Sequence, residues 1–278
     1  MSQKKLPKQI DRRYIYLVLL IGVAVPLLVP IGFISEVSGL AQQVYDMVES
    51  TPANSVVMIS FDYDPSTITE LQPMAKALIE HAWKKKHRVI AVALWPQGVQ
   101  MAELAFADVL KRYPEKVYGI DYVNLGFKSG GMVTIQAMGR NFKEVFPTDS
   151  KGTPISQLKM MDSVRNFNQI GYVVSLSAGD PGLKGYIMTA HDMYRVRVSG
   201  GCTAISTPGF LPYINDQSQL TGLLGGLKGA AEYESLIDVK GTATSGMDAQ
   251  SIAHLLIIVF IIMGNLRAQR IRKISKES

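Results

Sequence analysis

Five short stretches of this chain hold residue types that could do chemistry. Asp62-Tyr-Asp64-Pro sets two carboxylates one residue apart, an arrangement in which one can attack an electrophile and both can hold magnesium. Leu125-Gly-Phe-Lys-Ser-Gly-Gly131 offers Gly126, Lys128 and Gly130, a cation in a loop whose glycines permit close ligand approach. Ser177-Ala-Gly-Asp-Pro-Gly182 adds Gly179 and Asp180, and Ser199-Gly-Gly-Cys-Thr203 adds Gly201 and Cys202. The fifth, Trp95-Pro-Gln-Gly98, is a turn with an aromatic at its head. Residues of these types are also what ordinary turns and helix caps need.

Other chemistries are poorly provided for. The GFKSGG run departs from the G-x-x-x-x-G-K-[ST] phosphate loop. SLSAG is not the G-x-S-x-G nucleophile elbow, and of four histidines only His191 stands near one of these loops, which argues against a Ser-His triad. His81 and His87 flank Trp83-Lys-Lys-Lys86 and read as the solvated end of a helix. Cys202 is the single cysteine, so an intrachain disulfide and a Cys-based zinc site are both excluded. It reads as a small buried hydrophobe. No metal-ligand spacing stands out, and no cofactor is expected.

The elements that must position these stretches alternate. Apolar, β-branched runs at 55–61, 87–95, 117–127, 171–179 and 195–206 predict strands. Helical periodicity predicts helices over 38–48, 67–86, 99–113, 131–138, one opening at Thr153-Pro154, and one running to about His191. Continuous apolar strands between helices imply parallel βαβ units covered on both faces, hence a Rossmann-like three-layer α/β domain with a mostly parallel sheet. Each of the five stretches then falls at a strand's carboxyl end, where such sheets bind ligands. Asp62 and Asp64 in that position resemble the DxD of haloacid-dehalogenase-type phosphatases. The rest of that pattern is missing: no Ser/Thr ends the second strand, and no acidic pair follows a later one.

Two apolar segments frame the domain. Tyr14 to Ile34 is 21 residues without a charge, preceded by Lys4, Lys5, Lys8, Arg12 and Arg13. That is long enough for a bilayer core of about 30 Å. Pro26 and Pro30 predict a kink in its second half. It is too long, and its cleavage site too poor, for a removable signal, so it reads as an uncleaved signal anchor. Residues 247–266 predict a second span, with Asp248 and Ser251 available as N-caps and His254 close to one interface. The layout is then a basic tail (1–13), a span (14–34), an α/β domain (35–246), a span (247–266) and a second basic tail (267–278).

Charge follows this division. The chain carries a formal net +6; residues 1–34 and 251–278 each hold five Lys/Arg and one acid, a net +8 between them. The remaining 19 basic and 21 acidic residues leave the middle at −2. The basicity belongs to the membrane flanks, so nucleic acid is not an expected partner, and lipid is. The positive-inside bias predicts both termini in the cytoplasm of an inner (plasma) membrane protein and the domain outside it.

Gln219–Ile237, QLTGLLGGLKGAAEYESLI, reads as a helix on which Gly222, Gly225, Gly226 and Gly229 form overlapping small-xxx-small pairs. Each glycine costs a helix up to about 1 kcal/mol, and close helix–helix approach, within the domain or between subunits, would compensate. Several stretches, SFDYDPS, ALWPQG, DYVNLGFKSGG, FPTDSKGTPISQL, VVSLSAGD, GCTAIS and this glycine run, resemble a family of bacterial two-span membrane proteins with an extracytoplasmic α/β domain. The resemblance covers most of 55–237 and implies the layout; no activity is known for that family, so it implies no chemistry. The expectation is a membrane-anchored structural or assembly subunit, oligomeric through the glycine run. A ligand-binding or sensing domain using the strand-end loops stands second, and a metal-dependent phosphohydrolase third.

Overall fold

The structure is a computed structural model that describes residues 11–33, 36–215 and 217–277. Lys4, Lys5 and Lys8 of the basic run, and Ile34 and Ser35 where span and domain were expected to join, lie outside the described residues. The chain forms two compact units: residues 34–243, and the two chain ends, Met1–Phe33 with Thr244–Ser278.

The first helix, α1, is Arg12–Leu28, opened by Asp11, whose carboxylate accepts the Arg13 N–H. At 17 residues, beginning with the two arginines, it covers only the first part of the apolar run, as far as Leu28. Pro26 lies inside it, whereas Pro30 follows its end, because a residue before proline is pushed out of the helical region.

In the larger unit, α2 is Gly39–Glu49, capped by the Ser38 side chain on the Ala41 N–H. Then follow β1 (Val56–Asp62), α3 (Ile68–Lys84), β2 (Arg88–Ala93), α4 (Gly98–Leu110), β3 (Tyr122–Phe127), α5 (Met132–Arg140) and α6 (Phe142–Val145). Three 3-10 turns lead to β4 (Ile170–Ser177). The helix α7 (Gly182–Tyr186) runs through a π-helical stretch, Ile187–His191, into α8 (Asp192–Tyr194). The unit closes with β5 (Val198–Cys202), α9 (Thr207–Phe210), β6 (Leu223–Gly225) and α10 (Gly226–Leu236).

Among the described residues six strands form one sheet, all parallel, in the order β3-β2-β1-β4-β5-β6, that of the doubly wound Rossmann type. The strand sequences explain the layers. In β1 all seven residues are buried: Val57, Ile59 and Phe61 join a core with α2, α3, α4 and α10, while Val56 and Met58 join the other core, with α5, α6 and α7. Side chains alternate across a strand, so a run apolar at every position demands cover on both faces.

Several expectations are corrected. The third strand begins at Tyr122 rather than 117, and the fifth is confined to Val198–Cys202. Thr153-Pro154 leads only into 3-10 turns, Ile155–Gln157 and Lys159–Met161. His81 and His87 are buried, at 2% and 1% exposure, not on a solvated helix end. His81 bonds Tyr233 on α10 at 2.8 Å and Glu49 on α2 at 2.9 Å, tying three helices together.

The largest correction falls on the glycine run, which is not one helix. Leu223–Gly225 forms β6, and the helix starts only at Gly226, whose φ of +60° makes it a turn residue. The four glycines meet different neighbours. A Cβ at Gly222 would strike the α2 backbone, one at Gly225 Thr207, one at Gly226 Ala204 and Glu70, and one at Gly229 the Leu224 backbone. Their periodicity is the coincidence of a strand, a turn and a helix, each in close contact within the chain.

The last helix, α11, spans Thr242–Glu277. Among the described residues it alone is long and apolar enough to cross a membrane, over Thr242–Ile274. Asp248 is therefore inside a helix and not its cap. Its carboxylate reaches instead to the segment after α1 and accepts three consecutive N–H groups, from Ile31, Gly32 and Phe33, at 2.7–2.9 Å. Helices α1 and α11 run antiparallel, approaching closely at Gly22, where a Cβ would lie 2.6 Å from Leu256.

Candidate functional site

In a sheet of this order the ligand crevice lies outside the carboxyl ends of β1 and β4, where the winding reverses. Here the protein fills that place itself. Trp95, after β2, lies over Gly179, after β4, where any Cβ would come within 2.9 Å of the ring. Its Nε1 donates to the Asp180 carbonyl at 2.9 Å. The first βα turn, Asp62-Tyr-Asp64-Pro, presents acids where dinucleotide-binding folds present glycines to a pyrophosphate. This edge is not built for a dinucleotide.

The paired aspartates are separated by their surroundings. Asp62 is fully buried; its carboxylate accepts the Leu94 N–H at 2.7 Å and the Ser60 hydroxyl at 2.8 Å, and Tyr186 donates to Ser60 at 2.9 Å. Burial pushes its pKa up to about 7, against the pull of the Leu94 and Ser60 hydrogen bonds. Asp64 faces outward and caps the turn that follows, accepting the N–H and hydroxyl of Ser66, which lower its pKa. The two carboxylates do not converge on a common point, as a nucleophile and its metal would require. Gly201 and Cys202 are likewise interior. A Cβ at Gly201 would strike Leu176 and Met74 at 2.6 Å, and Cys202 lies beside Thr207, its thiol pushed up to about 11 by burial. Neither reaches a cleft, because β5 is covered on both faces.

Among the described residues, two clefts open at the carboxyl edge. The smaller, about 230 Å³, is lined by Ser177, Gly179, Asp180, Pro181, Lys184, Ser206 and Phe210. Ser177 is held there by accepting the Leu183 N–H at 3.1 Å.

The larger, about 340 Å³, lies at the end of the edge strand β3. Its geometry starts from a bulge. Asn124 pairs with Ala91 but Phe127 with Ala93, so β3 carries one residue more than its partner, and Gly126 takes it up at φ +88°. The buried Asn124 side chain holds the bulge: Oδ1 accepts the Gly126 N–H at 3.0 Å, and Nδ2 donates to Val99 O and to Glu103. Facing it is the 146–153 loop, which docks on β3 through the Ser150 N–H to Asn124 O at 2.9 Å. Asp149 organises that loop, accepting the N–H groups of Lys151 and Thr153 and the Tyr118 hydroxyl at 2.8–2.9 Å. The result is a cleft walled by Phe127 and Phe146, with the hydroxyl residues Thr148 and Ser150 and the cation of Lys128 on its lining. Among the described residues no carboxylate pairs with Lys128.

Of the expected glycines, Gly126 thus shapes this cleft. Gly130, at φ +114°, instead packs on Thr134 at the start of α5. Asn124, Thr148 and Ser150 were not singled out from sequence. An asparagine in the middle of an apolar strand, where its type is disfavoured, was the available signal. Gly126→Val should cost about 1–3 kcal/mol, since an L residue at that φ is strained. A Cβ there would meet Ser150 only at 3.5 Å, so the penalty is conformational and not steric. An unchanged urea midpoint would show that the bulge relaxes freely.

Compared with protein-family models, with curated proteins and with solved structures, the chain matches none.

Proposed function

We propose that this chain is a membrane-anchored α/β binding module, in which the β3-edge cleft holds a small molecule. The observation that carries the reading is the bulge at Gly126 facing the Asp149-ordered loop: both walls are pre-formed by hydrogen bonds, and an unpaired lysine lines the space between them. One support of the assembly-subunit reading, helix–helix approach through Gly222, Gly225, Gly226 and Gly229, loses weight because the neighbours of those glycines lie within the chain. A phosphohydrolase would need Asp62 and Asp64 to meet in a cleft.

The anchoring part of the proposal has α1 cross the bilayer beside α11, with the Asp248 contact and the approach at Gly22 as support. Arg12 and Arg13 open α1, and Arg267, Arg270, Arg272 and Lys273 fall on the last turns of α11, a distribution that supports both ends lying in the cytoplasm and residues 35–246 outside it. The motif resemblance points to the same layout. The binding reading is tested by soaking crystals of the full chain with a cocktail of small aromatic and aliphatic fragments. Density in the β3-edge cleft of the wild type, lost in Ser150→Trp, is expected; fragments found only elsewhere would refute it.

A further inference from the structure

Resting on that reading, we infer that the β3-edge cleft takes a singly charged organic oxyanion, a carboxylate or a phosphodiester, carried on an apolar body. The charge comes from Lys128, the one cation on the lining. The one acid there, Asp149, has both carboxylate oxygens engaged, one by the N–H groups of its own loop and the other by Tyr118, so most of its acceptor capacity is spent away from the cleft. Thr148 supplies a hydroxyl donor suited to an oxyanion, while the Ser150 hydroxyl is spent on Glu103. Phe127 and Phe146 supply the apolar walls, which a bare inorganic ion would leave unfilled.

The neighbourhood also limits the charge. Glu103 stands behind the Ser150 wall, its Oε1 accepting the Ser150 hydroxyl at 3.4 Å. A second negative charge on the ligand would meet it across a few ångströms, and like charges at that range are unfavourable. A divalent cation finds no cage, since no group of three His, Cys, Asp or Glu side chains gathers among the described residues. The volume, about 340 Å³, sits at the small end of ligand sites, about 300–1,000 Å³, which suits a one-ring or short-chain acid.

The test is isothermal titration of the full-length protein in phosphatidylcholine nanodiscs with benzoate, phenyl phosphate, benzyl alcohol, benzylamine and inorganic phosphate. Benzoate should bind, phenyl phosphate (largely a dianion at neutral pH) and inorganic phosphate more weakly, and benzylamine not at all. Lys128→Gln should weaken benzoate at least tenfold, whereas Lys184→Gln, in the smaller cleft, should bind as wild type. Repeating the titration in phosphatidylglycerol nanodiscs separates the sources: competition identifies a lipid headgroup as the natural oxyanion, and equal affinity a free solute. Benzyl alcohol or benzylamine binding as well as benzoate, in a Ser150→Trp-sensitive manner, would overturn the charge assignment while leaving the cleft as a binding site. Failure of every probe, or Lys128→Gln binding like wild type, would overturn the inference itself.

Discussion

Asparagine in place of Asp62 is expected to stabilise the protein at pH 8 and to do little near pH 4, the difference growing by about 3–4 kcal/mol between them. The carboxyl has a folded pKa of about 7 against an ordinary 3.8, because burial penalises its charge more than the Leu94 and Ser60 hydrogen bonds favour it. Between those values the folded state holds a proton that the unfolded state has lost. Stability from this group is therefore fully present below about pH 3.8 and disappears as pH rises through about 7. Three pH units at about 1.4 kcal/mol each set the scale. Asn retains an acceptor for the Leu94 N–H and carries no charge, so its stability has no such slope.

His81 and His87 tilt the other way. Burial lowers both pKa values, more than the Glu49 and Thr51 contacts raise them, so the folded state binds fewer protons and stability falls as pH drops below about 6.5. The comparison must therefore be variant against wild type at each pH, which cancels the histidines. Urea unfolding followed by Trp83 and Trp95 fluorescence measures it. A variant effect that is the same at pH 4 and pH 8 would mean that Asp62 stays ionised throughout.

The second large effect is expected at Asp248. Alanine there leaves three consecutive N–H groups, of Ile31, Gly32 and Phe33, without the carboxylate that now accepts all three. Asp248 is 1% exposed, so water does not freely replace it. Hydrogen bonds to a charged group are worth about 1.5–3 kcal/mol each, and one such bond's loss already corresponds to at least a tenfold change in an opening equilibrium. With three lost, amide exchange at 31–33 should accelerate by about a hundredfold or more. Asp248→Asn, keeping one acceptor oxygen, should fall between the two. Exchange at wild-type rates in the alanine variant would show that the latch contributes nothing to the pairing of α1 with α11.

The sequence by itself determined the local and the layered. Strands such as Val56–Asp62, apolar at every position, announce a sheet covered on both faces, and the helical spacing of Leu71, Met74, Ala75 and Leu78 announces α3. Hydrophobic period is a local property, readable without knowing what the element packs against. Lys128 and Gly126 were legible as candidates on the same basis, since a glycine loop with a cation after a strand is a local pattern.

What only the tertiary structure decided depended on neighbours distant in sequence. The glycine run shows this most plainly: Gly222 is small because α2, some 180 residues earlier in the chain, crosses it, and no helical spacing within the run encodes that. Asp62 and Asp64 look alike in sequence, yet one is sealed beneath Leu94 and Ser60 while the other caps an exposed turn. Asp248 looks like a helix cap until the segment after α1 arrives beside it. The cleft itself exists because a one-residue mismatch between β2 and β3 coincides with a loop ordered by Asp149, and register between strands is set by pairing that neither strand's sequence records alone.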